Sequence, residues 1–384
     1  MKKILACLLT AAMLFSFAPM CFAFEALPEM QVEVKAKAAV LMDAGSGMVL
    51  MAQNAHEKLY PASVTKIMTL LLVTEAIDSG KISLTDMVTV SKEAAEKGGS
   101  QIWLEVGEQM SVDDLLKASA VASANDACEA LAEYVAGRSD AFVRQMNERA
   151  QQLGMNDTHF ENCTGLDDTV ENHVTSAYDV ALMSRELLRH QRITGYTTIW
   201  MDSLRNGETQ LVNTNKLIRF YEGATGLKTG TTSKAGCCVS ASAKRGDLHL
   251  IAVVLGSDTS DDRFNAARAM LDWGFANYTI EKLEIDASRV PAVGVLKGTE
   301  SSVMPVIPQA QAVLIEKGKT GEVVQEFDLA ATVQAPVEKG QLLGRVYFKL
   351  NGETLYTYDL ISDREIPALT FFESFKRILL SLCT

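Results

Sequence analysis

One short stretch, Pro61-Ala62-Ser63-Val64-Thr65-Lys66, leads straight into the apolar segment 67–73 and constrains how the surrounding chain can fold. Pro61 favours the start of a helix, because the N–H that proline lacks would have no partner in the first turn. Side chains three residues apart lie on the same face of a helix, so we expect Ser63 and Lys66 to meet. The stretch therefore predicts a helix start that holds a hydroxyl beside an amine.

Such a pair has a specific chemical use. A serine hydroxyl becomes an effective nucleophile only when a nearby group accepts its proton. An amine accepts that proton only if burial or a neighbouring cation keeps the amine neutral. Backbone N–H groups at a helix start can stabilise the oxyanion that forms after attack. Ser-x-x-Lys also occurs by chance at solvated helix starts, so the catalytic interpretation depends on companion motifs.

Two companion motifs follow in order, Ser123-Ala124-Asn125 and Lys228-Thr229-Gly230. Taken alone, the first is typical of a helix cap and the second of a strand that ends in a turn. The set Ser-x-x-Lys, Ser-Asp-Asn and Lys-Thr-Gly is, however, the signature of penicillin-binding proteins and class A β-lactamases. All three motifs in order, separated by gaps the size of domains, favour the catalytic interpretation.

The N-terminal segment predicts export. Lys2-Lys3 precede an apolar run over 4–17, and Cys21-Phe22-Ala23 supplies small residues at a cleavage site. This pattern is typical of a secretory signal peptide over residues 1–23. An uncleaved membrane anchor is the alternative, which Pro19 and the short apolar run disfavour.

Charge and residue spacing argue against several classes of partner. The chain of 384 residues has a formal net charge of −12 and no basic stripe, so we expect no nucleic-acid partner. Five cysteines follow the signal segment, in an odd number and at irregular spacing that do not match a disulfide framework: Cys128, Cys163, Cys237, Cys238 and Cys383. The five histidines lack metal-ligand spacing, so we predict no metal and no cofactor.

Hydrophobic periodicity predicts an α/β (α+β) body over residues 24–278, with an antiparallel sheet. Two apolar runs around a turn at 43–46 predict a β-hairpin, and more strands are expected over 237–255. The predicted helices cover residues 62–80, 111–154 with a break at 123–126, 176–192 and 262–278.

Residues 279–362 show no helical period and predict a small all-β domain. Its clearest element is a hairpin joined through Asn351-Gly352. Residues 363–384 predict an amphipathic helix whose charged residues disfavour crossing a bilayer. We therefore expect residues 366–384 to bind the membrane surface, with packing against the protein body as the alternative.

Beyond the motifs, the sequence resembles the low-molecular-mass penicillin-binding proteins that are D-alanyl-D-alanine carboxypeptidases. The segments 126–128, 156–160 and 271–275 are similar to family segments, and the resemblance covers nearly the whole chain. One departure is Ala124, where the family motif has aspartate. That middle residue is thought not to carry the chemistry. The resemblance implies a serine β-lactamase/penicillin-binding-protein-like fold with an appended β domain.

The resemblance also implies catalytic roles. Ser63 would be the nucleophile and Lys66 its general base, with Lys228 as a second cation that helps to lower the pKa of Lys66. Ser123 would lie between the two lysines as a proton relay. The backbone N–H groups of Ser63 and Thr231 would form the oxyanion hole.

Substrate binding is implied at the other two motifs. Asn125 would hold the peptide group of the substrate. An extended substrate would pair with the strand edge, where Lys228 and the Thr229 hydroxyl attract its terminal carboxylate. Gly230 would let the substrate backbone approach closely. Arg263, at the start of a predicted helix, is expected to form a surface ion pair, with a structural role at the site as the alternative.

The function implied by the resemblance is removal of the terminal D-Ala from peptidoglycan stem peptides that end in D-Ala-D-Ala. β-Lactams would be covalent inhibitors, and the protein would lie at the outer face of the cytoplasmic membrane. One alternative is a β-lactamase on the same fold, although region 161–166 lacks the Glu-x-x-Leu-Asn loop of class A enzymes. The other is a non-catalytic sensor module that is acylated once and stays acylated.

Overall fold

The computed structural model describes residues 27–382, with side chains up to residue 376 apart from Thr320. The predicted signal peptide lies outside the described residues. The longer helices are α1 Lys66–Asp78, α2 Val112–Val121, α3 Asn125–Ala136, α4 Ser139–Gln152, α5 Ala177–Arg189, α6 Ser260–Asn277 and α7 Phe371–Leu382. Short helical turns lie at Ala62–Thr65, Lys92–Ala95, Gln191–Ile193, Thr194–Thr197, Arg205–Gly207, Leu217–Phe220, Ala287–Arg289 and Thr320–Glu322.

The strands fall into an earlier and a later group. The earlier strands are β1 Ala38–Asp43, β2 Val49–Gln53, β3 Met87–Thr89, β4 Gln109–Ser111, β5 Met201–Leu204, β6 Thr209–Val212, β7 Ala224–Thr232, β8 Gly236–Arg245 and β9 Leu248–Ser257. The later strands are β10 Tyr278–Leu283, β11 Val293–Leu296, β12 Ser302–Val303, β13 Pro305–Val306, β14 Gln311–Glu316, β15 Val323–Leu329, β16 Thr332–Gln334, β17 Leu342–Leu350 and β18 Glu353–Ser362.

A five-stranded antiparallel sheet organises the first part of the chain, in the order β2-β1-β9-β8-β7. Successive residues of a strand point to opposite faces, and β1 is buried on both faces. Val40 and Met42 join the core beneath α1 and α5, whereas Ala39 and Leu41 join the core beneath α6. This arrangement confirms the predicted fold class and leaves β7 at one edge of the sheet.

The helix α1 is buried on nearly every side, because α2, α3, α4 and α5 pack around it. It starts later than the sequence predicts. Residues Ala62–Thr65 form a 3₁₀ turn, in which the N–H of Lys66 donates to the carbonyl of Ser63. Ser63 therefore lies in this turn and Lys66 opens α1. A helix of ten or more buried residues in the centre of the body holds this junction in place.

The later strands form a β-rich region, as predicted. A four-stranded antiparallel sheet has the order β13-β18-β17-β15, and a three-stranded sheet has the order β12-β11-β16. The hairpin of β17 and β18 turns at Asn351 and Gly352, which both have positive φ, as a two-residue hairpin turn requires. The domain boundaries that the sequence suggests near residues 278 and 362 stay predictions. Near residue 278, helix α6 ends and strand β10 begins.

The C-terminal helix begins at Phe371, five residues after the predicted start of the membrane-binding segment. Ile366 is instead fully buried in the β-rich region, where its backbone pairs with Val337. Phe371, Phe372 and Phe375 are 79%, 81% and 53% exposed. Among the described residues, no helix combines the length and apolarity needed to cross a membrane.

Candidate active site

The hydroxyl of Ser63 and the side-chain nitrogen of Lys66 lie 2.9 Å apart at the junction of the 3₁₀ turn and α1. Lys66 is completely buried, and its Nζ also donates to Asn125 Oδ1 at 2.5 Å and to the Thr164 carbonyl at 2.7 Å. A neutral amine has two hydrogens and one lone pair. In the neutral amine, whose two hydrogens would go to Asn125 Oδ1 and the Thr164 carbonyl, the lone pair would face the Ser63 hydroxyl.

Burial is the main cause that lowers the pKa of Lys66. Burial therefore shifts Lys66 toward its neutral form. Of the two causes that the sequence analysis named, burial and a neighbouring cation, burial is the larger. Lys228 is itself buried, and burial together with the charges of Lys66 and Arg263 lowers its pKa well below the ordinary value.

Lys228 and Thr229 lie on β7, the edge strand that faces the serine. Lys228 Nζ donates to the carbonyl of Thr229 at 3.0 Å, and Thr229 Oγ1 donates to Thr214 Oγ1 at 2.7 Å. Thr214 is exposed and comes from the loop after β6, and no motif marks it in the sequence. The structure thus brings together a buried amine and a hydroxyl of β7 with a second hydroxyl from a neighbouring loop.

The absence of a side chain at Gly230 allows β7 to approach Ser63 closely. A Cβ atom at this residue would lie 2.8 Å from the backbone nitrogen of Ser63 and 2.9 Å from the carbonyl oxygen of Pro61. Real Cβ atoms essentially never approach other atoms so closely. The glycine therefore allows the strand to pass directly beside the backbone N–H of Ser63, which is one of the two predicted oxyanion-hole donors.

The second motif lies between α2 and α3. Asn125 opens α3 and donates through Nδ2 to the carbonyl of Gly98 at 2.7 Å, so one N–H of its amide stays available for another acceptor. Ser123 is 4% exposed and has φ +63. In the part of the chain that the structure describes, no hydrogen bond joins Ser123 to Lys66 or to Lys228.

Arg263 is a correction to the sequence interpretation. It is buried, and its guanidinium donates to the carbonyl of Gly230 and to Thr231 Oγ1, both at 2.8 Å, and to the carbonyl of Cys238 at 3.2 Å. The predicted surface ion pair is wrong, because the Arg263 side chain is directed toward β7 and β8, whereas Asp261 in the same helical turn is exposed. These contacts agree with the alternative from the sequence, a structural role at the site.

The segment Gly98-Gly99-Ser100 forms one wall of the site. The carbonyl of Ser100 accepts the backbone N–H of Asn125 at 2.7 Å. A Cβ on Gly99 would lie 2.7 Å from Asn125 Nδ2. The wall is therefore built from backbone atoms, which sequence motifs do not report.

A second loop closes the site over Lys66. A Cβ on Gly165 would lie 1.8 Å from the carbonyl oxygen of Ala62, which shows how tightly this loop packs on the 3₁₀ turn. Thr65 Oγ1 lies 2.8 Å from His173 Nε2. Burial is the main cause that lowers the pKa of His173 to about 4. The packing excludes water from the lysine, and this burial is the main cause that lowers its pKa.

Other polar groups do not build a second centre around this site. Four cysteines are buried thiols without disulfides: Cys128, Cys163, Cys237 and Cys238. Cys383 lies outside the described residues. Within residues 27–382, three carboxylates come close together at Glu93, Glu129 and Glu133. Lys97 lies 3.2 Å from Glu129 and 3.4 Å from Glu93, so its ammonium group already pairs with two of the three carboxylates.

Comparisons with known proteins agree with this geometry. A family model described as D-alanyl-D-alanine carboxypeptidase matches residues 25–259, and one described as the penicillin-binding protein 5 C-terminal domain matches residues 286–368. The D-alanyl-D-alanine carboxypeptidase DacF of Bacillus subtilis (strain 168) is 41% identical over 382 residues, which cover 98% of each chain.

Solved structures show the same similarity. Penicillin-binding protein 5 from Haemophilus influenzae aligns with a TM-score of 0.74 and 33% identity, over 88% of this chain and 99% of that one. Penicillin-binding protein D2 from Listeria monocytogenes, in its ampicillin-bound form, aligns with a TM-score of 0.59 and 31% identity, over 64% and 100%. The family resemblance is thereby confirmed, and this chain belongs to the D-alanyl-D-alanine carboxypeptidase family of penicillin-binding serine peptidases.

Proposed function

We propose that Ser63 is the nucleophile with which this D-alanyl-D-alanine carboxypeptidase removes the terminal D-Ala from peptidoglycan stem peptides. One observation carries the assignment: Ser63 Oγ lies 2.9 Å from a fully buried lysine whose two other partners are both acceptors. The neutral amine of Lys66 is thereby oriented to take the hydroxyl proton.

The reaction proceeds in two steps. Ser63 Oγ attacks the carbonyl carbon of the penultimate D-Ala while its proton moves to Lys66 Nζ. The C–N bond then breaks, and the terminal D-Ala leaves with that proton on its amino group. In this proposal Ser123, which is 4% exposed, passes the proton between the lysines. Water then attacks the ester, and Lys66 again takes and returns the proton to Ser63.

The substrate binds in the cleft between β7 and the wall of residues 98–100. Its terminal carboxylate is attracted by Lys228 and the Thr229 hydroxyl, and its peptide group meets the free N–H of Asn125. The developing oxyanion accepts hydrogen bonds from the backbone N–H groups of Ser63 and Thr231. Gly230 supports this arrangement because any Cβ there would occupy the space in front of the Ser63 N–H.

Penicillins react at the same serine, since a β-lactam offers a reactive amide carbonyl beside a carboxylate. The ampicillin-bound form of the Listeria protein supports this step. A β-lactamase activity finds less support, because the family model and the curated relative both bear the carboxypeptidase description. A non-catalytic sensor also finds less support, because curated relatives that match nearly the whole chain bear the carboxypeptidase description.

The test uses the purified protein, a fluorescent penicillin and a pentapeptide that ends in D-Ala-D-Ala. Ser63→Ala should abolish both covalent labelling and release of D-alanine, with nearly unchanged thermal unfolding. Ser301→Ala, at an exposed serine in the β-rich region, is the matched control and should keep both. Labelling of the Ser63→Ala protein would disprove the assignment of the nucleophile.

We also propose that the protein is exported and lies on the outer face of the cytoplasmic membrane, bound through its C-terminal helix. The support is the signal-peptide pattern and three exposed phenylalanines at the start of α7: Phe371, Phe372 and Phe375. Such an apolar group left in water is unfavourable. A helix of this kind binds lipid along its apolar face without crossing the bilayer.

The truncation that tests this proposal must spare the β-rich region. Ending the chain at residue 362 would remove the buried Ile366, so we end it after Thr370. The truncated protein should move to the soluble fraction while its penicillin labelling is unchanged. Retention at the membrane would contradict the proposal. Replacing the three phenylalanines by serine should give the same release as the truncation.

A further inference from the structure

Glu129 is a fully buried carboxylate on α3, and no motif marks it in the sequence. Two donors meet one of its oxygens: Oε2 lies 3.2 Å from Lys97 Nζ and accepts from Cys163 Sγ at 3.1 Å. In the part of the chain that the structure describes, Oε1 has no hydrogen-bond partner. A buried carboxylate with an unpaired oxygen is costly, so its presence calls for an explanation.

Lys97 connects this carboxylate to the wall of the active site. It directly precedes Gly98, whose carbonyl accepts Asn125 Nδ2 at 2.7 Å. Lys97 Nζ also lies 3.4 Å from Glu93, but that side chain is 62% exposed, and exposed pairs contribute little. The side chain of Glu129 is 1% exposed, so its attraction to Lys97 is screened least. The buried ion pair therefore holds the start of the wall against α3.

Cys163 connects the same carboxylate to the loop over Lys66. Burial, and then the charge of Glu129, raises the pKa of the Cys163 thiol well above its ordinary value, so the sulfur keeps its proton and acts as the donor. The next residue, Thr164, accepts Lys66 Nζ through its carbonyl at 2.7 Å. The carbonyl of Cys163 accepts Thr69 Oγ1 from α1 at 2.6 Å. This connection therefore ends one residue from an acceptor of the proposed base.

The two connections meet one helical turn after the second motif. Glu129 follows Asn125 by four residues on α3, which places both side chains on the same face of the helix. Asn125 Oδ1 accepts Lys66 Nζ at 2.5 Å, and its Nδ2 bonds the wall at Gly98. The wall and the surroundings of Lys66 are thus held twice, directly by Asn125 and one residue further along each segment by Glu129.

We propose that Glu129 is a positioning residue for acylation, whose buried charge sets the spacing between the wall and the loop that contacts Lys66. The inference rests on the proposed function, because it concerns the placement of the proposed base. Within residues 27–382, no hydrogen bond joins Glu129 to Ser63 or Lys66, so it acts through its two partners. Small displacements of reacting groups have large kinetic effects, so altering this carboxylate should slow acylation even in fully folded protein.

The experiment measures the rate of covalent labelling by a fluorescent penicillin, well below the unfolding temperature of each variant. Glu129→Gln keeps the shape of the side chain but removes its charge, and should lower the acylation rate at least about tenfold. Lys97→Met leaves the buried carboxylate without its cation and should be slower still. Because the two charges compensate each other, the double variant should acylate faster than Lys97→Met alone.

A matched control comes from the surface. Lys92 pairs with Glu96, and their side chains are 76% and 66% exposed, so Lys92→Met should keep the wild-type rate. Lys97→Arg keeps the cation and should retain most of the rate, which keeps the test decisive if Glu129→Gln does not fold. Cys163→Ser keeps a donor to Glu129 and Cys163→Ala removes it at similar size, so the serine variant should acylate faster.

Several results would overturn the inference. A wild-type acylation rate in Glu129→Gln would show that the charge positions nothing. Slower labelling matched by an equal loss of folded protein in circular dichroism would leave Glu129 a structural role only. A double variant whose loss equals the product of the two single losses would mean that the charges act independently. Failure of the proposed function is distinguishable, because Ser63→Ala would then still be labelled, whatever the variants of Glu129 do.

Discussion

The guanidinium of Arg263 donates to the carbonyl oxygen of Gly230 at 2.8 Å, so helix α6 holds the strand that borders the nucleophile. The same guanidinium nitrogen also bonds Thr231 Oγ1 at 2.8 Å. These contacts fix β7 at the point where the oxyanion-hole N–H of Thr231 is expected. Arg263 acts through the strand, and it is a positioning residue.

Replacing Arg263 tests this relationship. Arg263→Met should lower the penicillin acylation rate at least tenfold and destabilise the fold by about 2 kcal/mol, because buried carbonyls lose a charged donor. Arg263→Lys should recover part of the acylation rate, since one donor returns. Arg268→Lys, on the exposed side of the same helix, serves as control. Wild-type acylation by Arg263→Met would show that β7 needs no such support.

Gly230→Ala should block acylation more severely than it affects folding. The added Cβ would lie 2.8 Å from Ser63 N and 2.9 Å from the Pro61 carbonyl, both backbone atoms that cannot turn aside. We expect a loss of about 100-fold in acylation rate, measured with a fluorescent penicillin. Gly195→Ala, where a Cβ would meet nothing within 4 Å, should retain the wild-type rate. A fully active Gly230→Ala protein would refute the close approach.

The two buried lysines should respond differently to substitution. Lys66→Ala removes the base and should stop acylation. Lys228→Arg keeps a charge but changes its shape, so it should retain some acylation with weaker binding. The measurement is the time course of covalent labelling at several penicillin concentrations, compared between the two variants. Complete loss in both variants would contradict the separate roles of base and carboxylate partner.

The pH profile tests the state of Lys66. A general base must be deprotonated, so acylation should slow on the acid side as the amine gains its proton. Because burial lowers the pKa of Lys66, the fast rate should already be reached below the ordinary lysine value of 10.5. The measurement is the acylation rate from pH 5 to 10. A rate that still rises through the top of this range would show an ordinary amine.

His173 should make the fold sensitive to acid. Its pKa falls from 6.5 to about 4 in the folded protein, mainly through burial. The unfolded chain therefore binds more protons between these values, and stability is lost as the pH falls through this window. The shift corresponds to roughly 3 kcal/mol at most. Urea unfolding at pH 7 and pH 4 should show a smaller difference for His173→Gln than for the wild type; equal differences would exclude this histidine.

Much of the fold followed from local patterns. The apolar runs around the turn at 43–46 pair as β1 and β2, and the helix predicted from residue 111 begins at Val112, where the Ser111 hydroxyl accepts the N–H of Asp114. The prediction of where the helix starts near Ser63 was less accurate. The predicted helix begins as a 3₁₀ turn, since the loop at Gly165 packs against Ala62 and sets its backbone.

The sequence by itself determined that Ser63 and Lys66 would meet, because three residues of helical chain place their side chains on one face. Only the tertiary structure decided that this lysine is buried, which is the condition for its proposed role as base. Its burial depends on Thr164 and Asn125, which lie 98 and 59 residues away along the chain. Arg263 reaches Gly230 in the same way, across 33 residues. Desolvation depends on everything packed around a charge, and no local pattern of residues specifies it.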